Sequence, residues 1–145
     1  MAHTITGHTI LNGSRNLVVQ FNIQSDGVSG QYADFSLLDI DDYTGEDSPP
    51  KANDYAVKKI SGSTSVGAGI ELKFGDSMSN HKTFFLSPIN TSQGSSFEEE
   101  WVGGLSNLLP GQDGTIRITS LGLDASGDWI SVVLWLKKKY KTPGS

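Results

Sequence analysis

The sequence predicts an all-β fold, an antiparallel β-sandwich or jelly-roll-like barrel of about eight strands with little or no helix. Three observations predict it. Gly, Ser, Thr, Asn and Asp fill the gaps between short apolar runs, with 17 glycines in 145 residues, as in a chain that turns often. No window sustains apolar residues at the helical period. The most apolar run, Trp129 to Leu136, mixes tryptophan, isoleucine and valine, the aromatic and β-branched types that fit a pleated surface.

The elements follow in order. The opening MAHTITGHTILNG has neither the basic start nor the apolar stretch of a secretory leader, and His3 and His8 read as part of a mobile end. From Asn16 to Gln24, Leu17, Val19, Phe21 and Ile23 alternate with Val18, Gln20, Asn22 and Gln24, which gives one apolar and one largely polar face. Ser25-Asp26-Gly27 turns the chain into a strand from about Gln31 to Ile40, with Phe35 and Leu37 on its buried face. Asp41 to Asp54, DDYTGEDSPPKAND, carries acids, Gly45 and Pro49-Pro50. It reads as a long exposed acidic loop, and loops of that length often contact partners.

Tyr55 to Ile60 and Gly69 to Phe74 read as further strands, the second with Ile70, Leu72 and Phe74 inward and Glu71 and Lys73 outward. Lys82 to Leu86 follows, closed by Pro88. Phe97 to Val102 alternates Phe97, Glu99 and Trp101 against Glu98, Glu100 and Val102, and Gly103 to Gly114 reads as irregular. Thr115 to Ser120 alternates Ile116 and Ile118 against Arg117 and Thr119. Trp129 to Leu136 closes the set. It falls far short of the roughly 20 apolar residues that cross a bilayer as a helix. Being apolar on both faces, it is expected in the middle of a sheet with material packed above and below. Lys137, Lys138, Lys139 and Lys141 around Tyr140 then begin a basic tail, 137–145.

At 15.5 kDa the chain reads as one domain, 1–145, able to bury a core without staples. The absence of cysteine excludes thiol catalysis, thiolate metal sites and disulfides. A net charge of −5 with only two arginines, Arg15 and Arg117, is the wrong field for a nucleic-acid binder. Asp39, Asp41, Asp42, Glu46 and Asp47 do not match the EF-hand spacing. Glu98-Glu99-Glu100 beside Trp101 raises glycoside hydrolysis, but neighbouring acids on a strand point to opposite faces. Ser63-Thr64-Ser65-Val66-Gly67 lacks the first glycine of a nucleophile elbow.

No catalytic, cofactor-binding or metal-binding residue is therefore expected, no cofactor is implied, and the function classes left are structural and binding roles. The candidate partner surface is the acidic loop, with Asp41, Asp42, Tyr43, Glu46 and Asp47, together with Trp101 and the basic segment Lys137, Lys138, Lys139, Tyr140 and Lys141. The basic segment could dock on an acidic surface such as the 41–54 loop of a neighbouring copy, in an assembly that weakens with salt. Trp101, if exposed beside Glu98 or Glu100, would suit a carbohydrate-binding module or a receptor-binding tail module.

Three segments go further. ILNGSRNLVVQF (Ile10 to Phe21), FEEEWVGGL (Phe97 to Leu105) and DGTIRITSLGLDASGDWISVVLWLKKK (Asp113 to Lys139) resemble a family of small virion structural proteins of tailed bacteriophages. In that family an "LNG-R-N-VV" opening and a closing "SGD" strand pair ending in lysines recur. The match covers about a third of the chain; Ser25 to Gln93 does not align, and Trp129 stands where the family tends to have Tyr or another aromatic. The resemblance implies an all-β component of a phage particle, assembled in the host bacterial cytoplasm as arrayed or oligomeric copies. Its expected partners are the major capsid protein or other virion proteins, in a capsid decoration or cement role, with neither nucleic acid nor membrane bound.

Overall fold

A computed structural model describes residues 3–13, 15–43, 52–106 and 111–140, the side chains of 52, 53 and 140 excepted. The described residues form nine strands: β1 (Thr4–Asn12), β2 (Asn16–Gln24), β3 (Phe35–Asp39), β4 (Ala52–Thr64), β5 (Gly69–Asp76), β6 (Lys82–Leu86), β7 (Ser95–Ser106), β8 (Gln112–Leu121) and β9 (Trp129–Tyr140). A 3-10 turn, Ile40–Tyr43, follows β3.

Strand pairing defines the topology. β2 pairs with β9, β3 with β8, β4 with β7 and β5 with β6, all antiparallel. The chain from β2 to β9 is thus one long hairpin coiled on itself, and the β4–β9 and β5–β8 pairings join its turns. The result is a five-stranded sheet, β1-β2-β9-β4-β7, facing a four-stranded sheet, β3-β8-β5-β6. This is the order of a jelly-roll sandwich, to which β1 adds an edge strand.

The core lies between the sheets. β2 contributes Leu17, Val19, Phe21 and Ile23, and β9 contributes Ile130, Val132, Leu134 and Leu136. They face Ile70, Leu72 and Phe74 of β5 and Ile116 and Ile118 of β8. Each such side chain, fully buried, contributes about 1.5–3 kcal/mol. Tyr55 is wholly buried among them and its hydroxyl donates to the Thr115 carbonyl at 2.7 Å, which satisfies the one polar atom it takes inside. Burial holds its phenol well above the ordinary range. Inward-facing Gly62 lies under the Phe97 ring, where an added Cβ would sit 2.7 Å from Phe97 Cζ and 2.2 Å from the Ser131 carbonyl oxygen. The glycine is required by that close approach.

Several expectations are corrected. The amino-terminal segment is not mobile: it is β1, paired along β2. His3 is 8% exposed, with Nε2 2.8 Å from the Gly30 carbonyl and Nδ1 accepting the Asp26 N–H at 3.2 Å. β1 was missed because TITGHTILN has no apolar face; it is recruited by the unpaired backbone of β2. In β3 the register shifts between Ser36 and Leu38, so Leu37 and Leu38 are both buried while Phe35 is exposed and stacks on Tyr32. Within the expected 41–54 loop, Asp41–Tyr43 belong to the 3-10 turn and β4 begins at Ala52. Likewise β7 runs to Ser106 and β8 starts at Gln112, so both ends of Gly103 to Gly114 are strand. Lys137 to Tyr140 are not tail but extend β9.

Candidate docking surface on the five-stranded sheet

β9 lies between β2 and β4, as an apolar strand should. Its inner face is core, but no described segment packs over its outer face. That corrects the expectation of material on both sides. The pairing registers lay the outer face out in rows. One row crosses the sheet through Leu11, Val18, Trp135, Lys59 and Glu100; the next through His8, Gln20, Val133, Ser61 and Glu98. A third runs through Thr6, Asn22, Ser131, Ser63 and Ser96, and Thr4, Gln24 and Trp129 close the far end.

Trp135 and Val133 are half-buried, Trp129 is 39% exposed and Leu11 49%. The two tryptophans are six positions apart along the strand, about 20 Å at the rise of a β-strand. Each sits beside a shallow pocket. One, of about 330 Å³, is lined by Trp129 with Thr4, Thr6, Asn22 and Gln24; the other, of about 320 Å³, by Trp135 with Leu11, Asn16, Val18 and Lys58. The central strand is therefore apolar outward at Trp129 and again at Val133 and Trp135, with Ser131 between them and hydroxyls and amides on the β1–β2 side.

Charge frames the β7 side. The Lys59 ammonium lies 5.0 Å from the Trp135 ring centroid, a cation–π contact, and 2.7 Å from Glu98 Oε1. The hydrogen bond to Glu98 raises the Lys59 pKa, so the ammonium is firmly charged where it covers the indole. Gln20 Nε2 donates to Asn22 Oδ1 and to Ser131 Oγ, both at 3.3 Å. Such amides can be exchanged for a partner's groups at little cost, because they already face water.

Of the residues singled out from sequence, Lys138 meets the backbone of Tyr43, while Trp101 lies apart on β7. Asp41, Asp42 and Tyr43 sit in the 3-10 turn beyond β3, whereas Glu46, Asp47 and Lys141 lie outside the described residues. Trp101, on edge strand β7, is half-buried and meets Phe84 edge-on at 6.1 Å between the sheets, so its ring is not a free platform. The lysines of β9 alternate. Lys137 is exposed, whereas Lys138 points inward and is 5% exposed. The Lys138 ammonium donates to Asn12 Oδ1 and, at 2.6 Å, to the Tyr43 carbonyl. Burial lowers its pKa, and it cannot belong to an exposed basic patch. Lys139 Nζ donates to Ser106 Oγ at 2.5 Å. The side chain of Tyr140 lies outside what is described.

Sequence reading missed Trp129, Val133 and Trp135 as surface residues. The signal was present in β2, whose outward Gln20, Asn22 and Gln24 mark that face of the sheet as open to water. The β9 residues at the same registers share its exposure.

Among the described residues no group of three or more His, Cys, Asp or Glu could hold a metal ion, and no helix is long and apolar enough to cross a membrane. No family model matches the chain. No curated protein matches it either. Weak structural likenesses exist. A structure of Bacillus endospore appendages, which form disulfide-linked pili, is 10% identical with a TM-score of 0.37, over 97% of this chain and 93% of that one. The xylan-binding domain from Paenibacillus barcinonensis is 9% identical with a TM-score of 0.36, over 97% and 88%. A virus-like particle of the extra small virus of the prawn Macrobrachium rosenbergii is 8% identical with a TM-score of 0.34, over 95% and 81%. At this level the likenesses carry no functional weight.

Proposed function

We propose that the chain is a non-enzymatic structural protein of a tailed-phage particle, a decoration or cement protein seated on the capsid through the outer face of its five-stranded sheet. The observation that carries this reading is the apolar stripe of Trp129, Val133 and Trp135 on a face that no described segment covers. Exposed apolar side chains framed by polar groups mark interaction sites, and aromatic anchors supply most of the energy at such sites. The resemblance of Ile10 to Phe21 and Asp113 to Lys139 to phage virion proteins supports the shell as the partner. Many weakly held copies in an array bind tightly in sum.

The test is electron microscopy of particles assembled with and without the protein. Ordered density lost from the head surface, in particles that burst more readily on heating, is the expected result. Density lost from the neck or tail would move the protein to that location, and unchanged particles would end the reading.

One observation favours a second role, carbohydrate binding. The pocket under Trp129 combines an exposed indole with the hydroxyls of Thr4 and Thr6 and the amides of Asn22 and Gln24, a composition suited to a sugar ring. Titration with oligosaccharides followed by tryptophan fluorescence separates the two. Saturable quenching lost in Trp129→Ala supports the sugar site, and a flat titration removes it.

A further inference from the structure

We infer that the chain pairs with a second copy of itself through the free edge of β1, the two β1 strands running antiparallel about a two-fold axis perpendicular to the sheet. The sandwich has four edges, and three are protected. β3 and β6 are only five residues each, and both are broken by register shifts. β7 is long, but it carries Glu98, Glu99 and Glu100, and Gly103 and Gly104 bend it with φ of 86° and 89°. Shortness, charge and kinks are the means by which sheets keep their edges from pairing.

β1 has none of these over most of its length. Its nine residues, TITGHTILN, contain no Lys, Arg, Asp, Glu or Pro, and its pairing on β2 is regular from Thr4 to Thr9, with an irregularity only at Ile10. Among the described residues nothing pairs with its other edge. Every second residue there turns an N–H and a C=O outward.

Charge selects the occupant. Two β7 edges would oppose glutamates, whereas two β1 edges bring no like charges together. Because the axis is perpendicular to the sheet, outward residues of one copy meet outward residues of the other. The regular stretch then allows Thr6 to face Thr6 or Thr6 to face His8. The first register gives a hydrogen-bonding Thr–Thr pair, the second two Thr–His pairs. It also joins the two five-stranded sheets with both tryptophan faces on one side, presenting a doubled docking surface. The pairing stands on the edges alone and is independent of what the tryptophan face binds.

The test is sedimentation equilibrium of the full chain over a range of concentrations, with two variants, Thr6→Lys/His8→Lys and Thr6→Glu/His8→Glu. Positions 6 and 8 are exposed, so both variants should fold, with the wild-type circular-dichroism spectrum. The lysine variant opposes one like-charge pair in the Thr6–Thr6 register and two in the Thr6–His8 register. The expected result is a wild-type dimer, weakened about tenfold or more in each variant at low salt and restored when the two variants are mixed. A wild-type monomer at all concentrations overturns the proposal. So does a dimer indifferent to both variants, or open polymers that Glu98→Lys abolishes, which would mean β1 pairs with β7 of the next copy.

Discussion

The two outer faces of the sandwich are built on opposite plans. On the four-stranded sheet the charges are partnered within the face. Lys73 Nζ bridges Asp34 at 2.6 Å and Glu71 at 3.0 Å, Arg117 reaches Asp113 at 3.3 Å, and Thr119 Oγ1 donates to Asp34. The charged groups at the centre of that face are partnered within it, while Leu86 at its β6 edge is 60% exposed. On the five-stranded sheet Trp129, Val133 and Trp135 line the outer face of the central strand, with Ser131 between the first two and the Lys59 ammonium over the Trp135 ring. The contrast lies at the two centres: aromatic and aliphatic side chains face water on one sheet, and partnered charges fill the other.

The same strand supplies the sharpest way to break this comparison, since β9 buries alternate residues. Leu134→Ala removes a fully buried side chain and should cost about 2–5 kcal/mol in urea unfolding. A cost under about 0.5 kcal/mol, the size of ordinary surface changes, would mean that the inner face of β9 is not the centre of stability. Lys138→Met comes next, because it strips the donor from Asn12 and the Tyr43 carbonyl. A loss of about 1–3 kcal/mol is expected. The sign of its pH dependence follows from burial. The Lys138 pKa is lower folded than unfolded, so the wild type gains stability as pH rises from that depressed value toward the unfolded value near 10.4. The methionine variant should lack that gain.

Trp135→Ser should cost less in stability, about 1–2 kcal/mol from the cation–π contact and part of the indole area, yet weaken docking strongly. Smallest of all is Lys73→Met on the self-satisfied face. Asp34 has a pKa lowered by its hydrogen bond to Lys73, and Lys73 has one raised by its hydrogen bond to Asp34 and then by that to Glu71. The carboxylate's contribution is present above its unfolded pKa and is lost as pH falls through the depressed folded value. The ammonium's is present below its unfolded pKa near 10.4 and is lost as pH rises through the raised folded value. The pair therefore helps between roughly pH 4 and 10, by about 0.5 kcal/mol after solvent screening, and high salt should mimic the substitution. Docking should not change.

How much of this was legible in the sequence follows from range. The period-2 strands read correctly where one face was apolar, as at Asn16 to Gln24, Gly69 to Phe74 and Thr115 to Ser120, because alternation is local. β1 was hidden because its edge position leaves it no apolar face to write. The Leu37 irregularity defeated the alternation in β3, since a register shift turns two successive residues inward. The acid and lysine clusters were over-read as patches: in a strand adjacent side chains separate to opposite faces, which buried Lys138 and left Lys137 outside. The tryptophan stripe needed the pairing of β9 with β2, a contact more than a hundred residues apart in the chain, before its exposure could be seen.

The most direct measurement is the occupancy of Val133→Lys on phage particles assembled without the protein. The substitution charges the centre of the outer face and leaves the inner face intact. The account predicts a folded variant, melting close to the wild type, that no longer decorates the head, while Lys73→Met on the opposite sheet decorates fully. A Val133→Lys protein that occupies the particles as well as the wild type would contradict it.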